Sequence, residues 1–474
     1  MTAIVGVLNK HAVAIAADSA VTMGDTHKVV NCANKIFTIS KYHPVAVMTY
    51  NNASFMGVPW DIIIKEYRRN LKDGSFPKLE GYVTDFISFL HDRHFFCDCK
   101  TQLNYLKIIL NSFYSICCSE ICVEKNIKIN ELTSSFLEEK LNKCLNNNKN
   151  EDKCEEFNSF EFEDFLEFAE TEIETFANEK GLSDHKLLAE SFFHYLSAKF
   201  SETIYTGLVF VGYGEEDIYP SLKSLNISIA VKDHLKYSIK ESAEISEHGT
   251  AAAIIPFAQV DVTQTIVRGI NPNFQNIIYN VIDKSIKSFS DIIAEIIEDR
   301  GGGTDVSSAI RGLDCNKIIQ NITLQINKEM KESYTDPLLN TVINLDKEDM
   351  ANMAESFISL TSLVRRMQPG EETVGGPVDV AVISKGDGFV WINQNLTLSF
   401  LITILNEKGE YLMIGTYLSK EHSMSDVEYS LLTKEKVEEI SDRISRNVSK
   451  EILQQLEVAI PALSKEETEK KKKE

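Results

Sequence analysis

Four short apolar runs lie within the first fifty residues, at 2–7, 13–18, 34–37 and 45–50. Each is β-branched at its centre and set off by polar or glycine-bearing turns. Runs this short, bounded in this way, read as strands of a layered sheet. A hydroxyl residue, Thr2, stands directly behind the initiator methionine; Asp18 ends the second run and Lys35 opens the third. Strands as such do not require that arrangement.

The three residues suit one chemistry. Methionine is commonly trimmed when the next residue is as small as threonine, and its loss leaves Thr2 with both a hydroxyl and a free α-amine. An α-amine titrates at about 7.7–8.0, so a sizeable neutral fraction exists near neutrality. It can then act as general base for its own hydroxyl, the N-terminal-threonine class of nucleophile. An ammonium such as Lys35 favours a deprotonated nucleophile and lowers the pKa of the amine, and a carboxylate such as Asp18 holds that lysine charged and oriented. The plainer reading is that a Met-Thr start is common and that an Asp and a Lys at strand ends are ordinarily solvated.

The stretches Thr2-Ala3-Ile4-Val5-Gly6-Val7, Ala16-Ala17-Asp18-Ser19, Val21-Thr22-Met23-Gly24, Asn34-Lys35-Ile36-Phe37 and Val45-Ala46-Val47 resemble a proteasome β subunit. They are still more similar to the simpler bacterial proteasome-like peptidases, which begin at the catalytic threonine. The resemblance implies an α+β fold, the four-layer αββα sandwich of the N-terminal-nucleophile hydrolases, here with a large helical insertion. It implies that Thr2 attacks an amide carbonyl, and that Asp18 and Lys35 complete the core of the site. By the same resemblance a backbone N–H at Asn51, in the turn after the fourth strand, holds the oxyanion. Thr250, in Glu247-His248-Gly249-Thr250, stands for a serine beside the amine. Glu371, in Glu371-Glu372-Thr373-Val374-Gly375-Gly376, takes the aspartate position of an Asp-x-x-Ser-Gly-Gly run, with Val374 where that run has its serine.

Three functions follow from the resemblance. The first is a threonine peptidase acting on a protein or peptide substrate, without cofactor or metal. The second is a proteasome-like scaffold that has lost catalysis, which Val374 favours. The third is a hydrolase of small amides. Relatives assemble into rings through their helix layers, which implies a homo-oligomer. An ATP-driven unfoldase as partner would be a separate chain, because no nucleotide-binding loop is present.

Composition narrows the setting. A chain of 474 residues can bury a sizeable core and allows two or three domains. A net charge of −21 argues against general affinity for nucleic acid or an anionic membrane, both of which want a basic face. No run of eighteen uninterrupted apolar residues occurs, and the start lacks the basic and apolar regions of a signal peptide. A cytoplasmic protein without a membrane span is therefore expected. Seven of the nine cysteines fall between 97 and 154; an odd count with irregular spacing reads as reduced thiols. His91-x-x-His94-x-x-Cys97-x-Cys99 offers four donors of the kind zinc takes. The spacing is not a standard one, and Phe95 and Phe96 among the donors look like core, so packing is the expected reading.

The expected organisation is a first part of the sheet core at 1–96, a helical, acidic and cysteine-containing insertion at 97–200, the remainder of the core at 201–424, and a C-terminal helix and charged tail at 425–474. Phenylalanines at 157, 160, 162, 165 and 168 have broadly helical spacing, either as core or as an acidic partner-binding helix. Strands are expected at 206–211, 226–231 and 236–239, and helices at 256–298, 305–332 and 347–367. The Gly301-Gly302-Gly303 run reads as a hinge, since no Gly-Lys-Ser/Thr follows it. Asp387-Gly388 marks a hairpin.

Overall fold

The early apolar runs pair as strands. In the computed structural model they form β1 (Ala3–Asn9) and β2 (Val13–Asp18), then, after a small ribbon of β3 (Val21–Met23) and β4 (Lys28–Val30), β5 (Ile36–Thr38) and β6 (Val45–Asn51). The structure describes residues 2–394 apart from 24–27, 31–32, 94, 96–97, 200–203, 300–305, 307, 309–311, 313–314 and 369–373, together with the backbone of 402–405 and 411–414. A second ribbon, β7 (Ser54–Phe55) with β8 (Val58–Pro59), leads into α1 (Trp60–Leu71) and α2 (Leu79–Asp92).

Four further helices follow: α3 (Cys99–Lys125), α4 (Ser134–Asn148), α5 (Phe162–Lys180) and α6 (His185–Ser197). The chain returns to sheet with β9 (Thr206–Gly212), β10 (Ser221–Val231), β11 (His234–Glu244) and β12 (Ala252–Ala258). Then come α7 (Asp261–Arg268), α8 (Pro272–Asp299), α9 (Asn316–Met330), α10 (Asp336–Val342), α11 (Lys347–Met367) and the hairpin β13 (Val378–Ser384) with β14 (Gly388–Asn393). Residues 1–395 make one compact unit and 396–474 another; the second contains an antiparallel pair, β15 (Ile402–Leu405) with β16 (Tyr411–Ile414).

The fold is mixed α+β. One antiparallel sheet has the order β12-β1-β2-β13-β14 and the other β11-β10-β9-β6-β5. Successive side chains on a strand point to opposite faces, and both faces of these sheets are covered. On β1, Ile4 and Leu8 share a core with Met48, Val209 and Val211 of the second sheet. Ala3, Val5 and Val7 pack instead with Ala354, Phe357 and Ile358 of α11. Burying the larger of these side chains contributes roughly 1.5–3 kcal/mol each. The expected start of α11 is also observed, where the Asp346 carboxylate accepts the Asp349 N–H at 2.9 Å.

The outer face of the second sheet carries the largest core. Val45, Val47 and Phe210 meet Trp60 and Phe86 of α1 and α2, and the same cluster takes in Phe113, Phe157, Phe160 and Phe165. The insertion is thus fused to the sheet core, and its phenylalanines are packing residues. α3 has the length and mean hydropathy (1.4 over its best eighteen-residue window) to cross a membrane, yet Leu106, Ile109, Leu110, Phe113 and Ile121 lie within this core.

One sequence expectation fails in a way that matters for the site. Residues 256–258 end a strand, and no helix begins before Asp261. Pro256 interrupts the apolar run 251–258 and argues against a strand in sequence, but β12 is an edge strand of its sheet, where a missing N–H is tolerated.

Candidate active site

Three distant segments converge on Asp18. It ends β2, which lies between β1 and β13, with Val378 opposite Asp18 itself. Its side chain is fully buried. Asp18 Oδ1 accepts the Ala3 N–H at 2.9 Å and Lys35 Nζ at 2.7 Å. Asp18 Oδ2 takes longer bonds from the N–H groups of Ala20 and Gly375, both at 3.3 Å. Lys35 Nζ also donates to the Ala20 carbonyl at 2.6 Å. A single carboxylate oxygen therefore fixes the peptide joining Thr2 to Ala3 in relation to the lysine nitrogen.

Lys35 comes from the other sheet. It precedes β5, and its carbonyl accepts the Thr49 N–H at 2.9 Å, continuing the β5–β6 ladder. Its side chain crosses between the sheets to reach Asp18. The loop that carries it is tied back by Ala33 N–H to the Ser19 carbonyl at 3.1 Å, and Ser19 Oγ in turn donates to the Pro377 carbonyl at 2.8 Å. Burial pulls the Lys35 pKa below its ordinary 10.5, opposed by the charge of Asp18, the hydrogen bond to it and the charge of Asp379. A lysine in that condition gives up and takes back a proton closer to neutrality than a solvated one.

Thr2 is buried, with 6% of its surface exposed, and its carbonyl accepts the Gln259 N–H at 3.3 Å. Gln259 is presented by Ala258, which stands opposite Ala3 with φ 63°. Asn51, at the end of β6, has φ 72° and is exposed. It lies two residues beyond Thr49, so it belongs to the Lys35 end of its sheet. A non-glycine residue in the left-handed region costs on the order of 1 kcal/mol or more, and such residues cluster at functional sites.

The other sequence candidates fare differently. Thr250 is a correction: Ala252 stands opposite Asn9 and Ala258 opposite Ala3, so Thr250 lies beyond the far end of β1. A seven-residue strand separates it from Thr2, more than about 20 Å. The segment beside Thr2 is instead the turn 258–260 into α7. Glu371 lies outside the described residues. Val374 is wholly buried under α11, and its carbonyl accepts Ser362 Oγ at 3.4 Å.

Sequence reasoning missed Asp379, 2% exposed and opposite Ala17 on β13, whose charge acts on Lys35. The available signal was an acid inside the aliphatic run Val378-Asp379-Val380-Ala381-Val382-Ile383. It also missed Tyr50. Its ring lies against Phe257 (centroids 5.7 Å apart) and edge-on to Tyr205 (6.3 Å), and its hydroxyl bonds Asn226 Oδ1 at 3.2 Å. Gly207 makes room for this ring: a Cβ there would fall 2.0 Å from Tyr50 carbons.

Among the described residues, no group of three His, Cys, Asp or Glu is placed to hold a metal. His91, one of the zinc candidates, bonds Glu156 Oε1 at 2.8 Å, while His94 and Cys97 lie outside the described residues.

The chain matches no protein-family model and no curated protein. Its chemistry must be read from the site itself.

Proposed function

We propose that the protein is an N-terminal threonine hydrolase of the proteasome-like kind, cleaving peptide bonds after removal of Met1. The observation that carries this reading is the shared oxygen: Asp18 Oδ1 binds both the Ala3 N–H and Lys35 Nζ, with the aspartate and lysine side chains both buried. The Thr2–Ala3 peptide thus lies beside an amine of lowered pKa, which supports Thr2 as the nucleophile. The free α-amine takes the Thr2 hydroxyl proton as Oγ attacks the substrate carbonyl, and an ester forms while the leaving amine takes up that proton. Water then hydrolyses the ester by the same route in reverse. Lys35 stabilises the negative charge that develops on Oγ, and Asp18 keeps Lys35 oriented. Backbone N–H groups near Asn51 are the proposed oxyanion donors. Two antiparallel sheets sharing a core, with helices against both outer faces, support the finer assignment of an αββα sandwich.

Intact-mass analysis with and without a β-lactone directed at N-terminal threonine tests the reading. Loss of Met1 and an adduct on Thr2, absent from Thr2→Ala, is the expected result; a retained Met1 or an unreactive free Thr2 sinks it. That second outcome would leave a non-catalytic scaffold, which the buried aliphatic side chain of Val374 favours.

A further inference from the structure

The longest helix after β12 carries a half-exposed apolar face. α8 packs mainly against α7 and α9, with Gln275 and Tyr279 bonded to Asn327. On a separate side of α8, Phe274, Ile277, Val281, Phe289, Ile292 and Ile296 are 47–64% exposed. At 100° per residue these six fall in one stripe about 120° wide, centred about 120° from the Gln275 and Tyr279 side that meets α9. Their order is nearly a palindrome. They lie eleven, eight and four residues before Ser285, and four, seven and eleven after it.

We propose that this stripe is a homodimer interface in which α8 pairs antiparallel with α8 of a second copy, about a two-fold axis at Ser285. A two-fold axis makes an interface self-complementary, and in the antiparallel sense the palindromic stripe sets each apolar side chain opposite another. Phe274 then covers Ile296, Ile277 covers Ile292, and Val281 covers Phe289, with small Ser285 residues meeting at the axis. Each helix of the pair is about 42 Å long. Six side chains of roughly 200 Å² each, about half exposed, leave on the order of 600 Å² per copy. Two copies bury about 1,200 Å², enough for a specific interface at the small end of the range. With −21 charges on each chain the copies repel, so the dimer tightens with added salt. This inference rests on the surface of α8 alone and is independent of Thr2.

Sedimentation velocity of the full chain over a concentration series is the test. Wild type should show a concentration-dependent dimer. Val281→Lys and Phe289→Asp should each weaken it on the order of a hundredfold, with unchanged circular dichroism. An equal mixture of the two variants should recover dimer, because the lysine introduced in one copy then faces the aspartate introduced in the other. Ile318→Lys, on exposed α9 surface, should change nothing. A monomeric wild type, single variants that still dimerise, or a mixture that stays monomeric would each overturn the proposal.

Discussion

Asp18→Asn removes one charge from a buried pair and leaves its neighbours in place. In the native protein the Lys35 nitrogen meets Asp18 Oδ1 at 2.7 Å, with side-chain exposures of 5% and 0%. Asparagine keeps one oxygen for the Ala3 N–H but turns an NH2 group towards the Ala20 and Gly375 N–H donors, which lose their acceptor. Removing one member of a buried pair costs about 3–5 kcal/mol. That is a large part of the 5–15 kcal/mol, very roughly, that holds a domain folded. The direction with pH follows from Lys35. Its folded pKa lies below 10.5, so between the two values the unfolded chain binds more protons and stability rises with pH. The slope is at most about 1.4 kcal/mol per pH unit. Without Asp18 the folded pKa falls further, and the rise begins at lower pH. The penalty of the substitution is therefore fullest near neutrality and shrinks as pH approaches 10.5, where Lys35 is neutral in both folded proteins. Urea unfolding followed by far-UV circular dichroism, from about pH 7 to about pH 10, reads this directly. The difference between variant and wild type cancels the groups they share. A variant within about 1 kcal/mol of wild type at neutral pH, or a penalty that does not move with pH, would refute the reasoning.

Two further outcomes are expected elsewhere in the chain. Gly207→Ala places a Cβ 2.0 Å from the Tyr50 ring and should destabilise by about 1–3 kcal/mol or more. The loss should largely vanish in a Tyr50→Ala background, and an equal loss in both backgrounds would show that the ring is not the obstacle. The Cys144 thiol is held below its ordinary range by a hydrogen bond from Cys117, against its own burial and with help from the Lys140 charge. Its partner Cys117 is pushed up by the same bond and by burial. Alkylation mapped by mass spectrometry should set in at lower pH at Cys144 than at Cys117; equal rates at the two would count against the pairing.

Much of this was legible in the sequence because the relevant signals are local. β1, β2, β5 and β6 announce themselves as short, β-branched apolar runs between turns, and α11 by apolar residues at 350, 354, 357 and 358 behind an Asp cap. The pairing of Asp18 with Lys35 was legible as two strand ends, although their approach depends on two different sheets. What failed was non-local. Pro256 hid β12, because its tolerance depends on β12 having an edge position that no sequence window displays. Thr250 was misplaced as a direct result, since the loop before β12 was assigned to the wrong end of β1. Phe157 and Phe160 belong to a tight turn before α5 and not to the helix itself, a break that phenylalanine spacing alone does not reveal. Asp379 escaped because one acid in an aliphatic strand looks like an exposed position until the second sheet covers it.

The bonds to Asp18 also set a clock for synthesis. Two of its partners, Ala3 and Lys35, leave the ribosome almost with it, but Gly375 lies 357 residues downstream. β2 likewise has β1 for a neighbour at once and must wait for β13. At about 5–20 residues per second that wait is roughly 20–70 s. Throughout it the first hairpin has an unpaired edge, open to chaperones and to wrong strands alike.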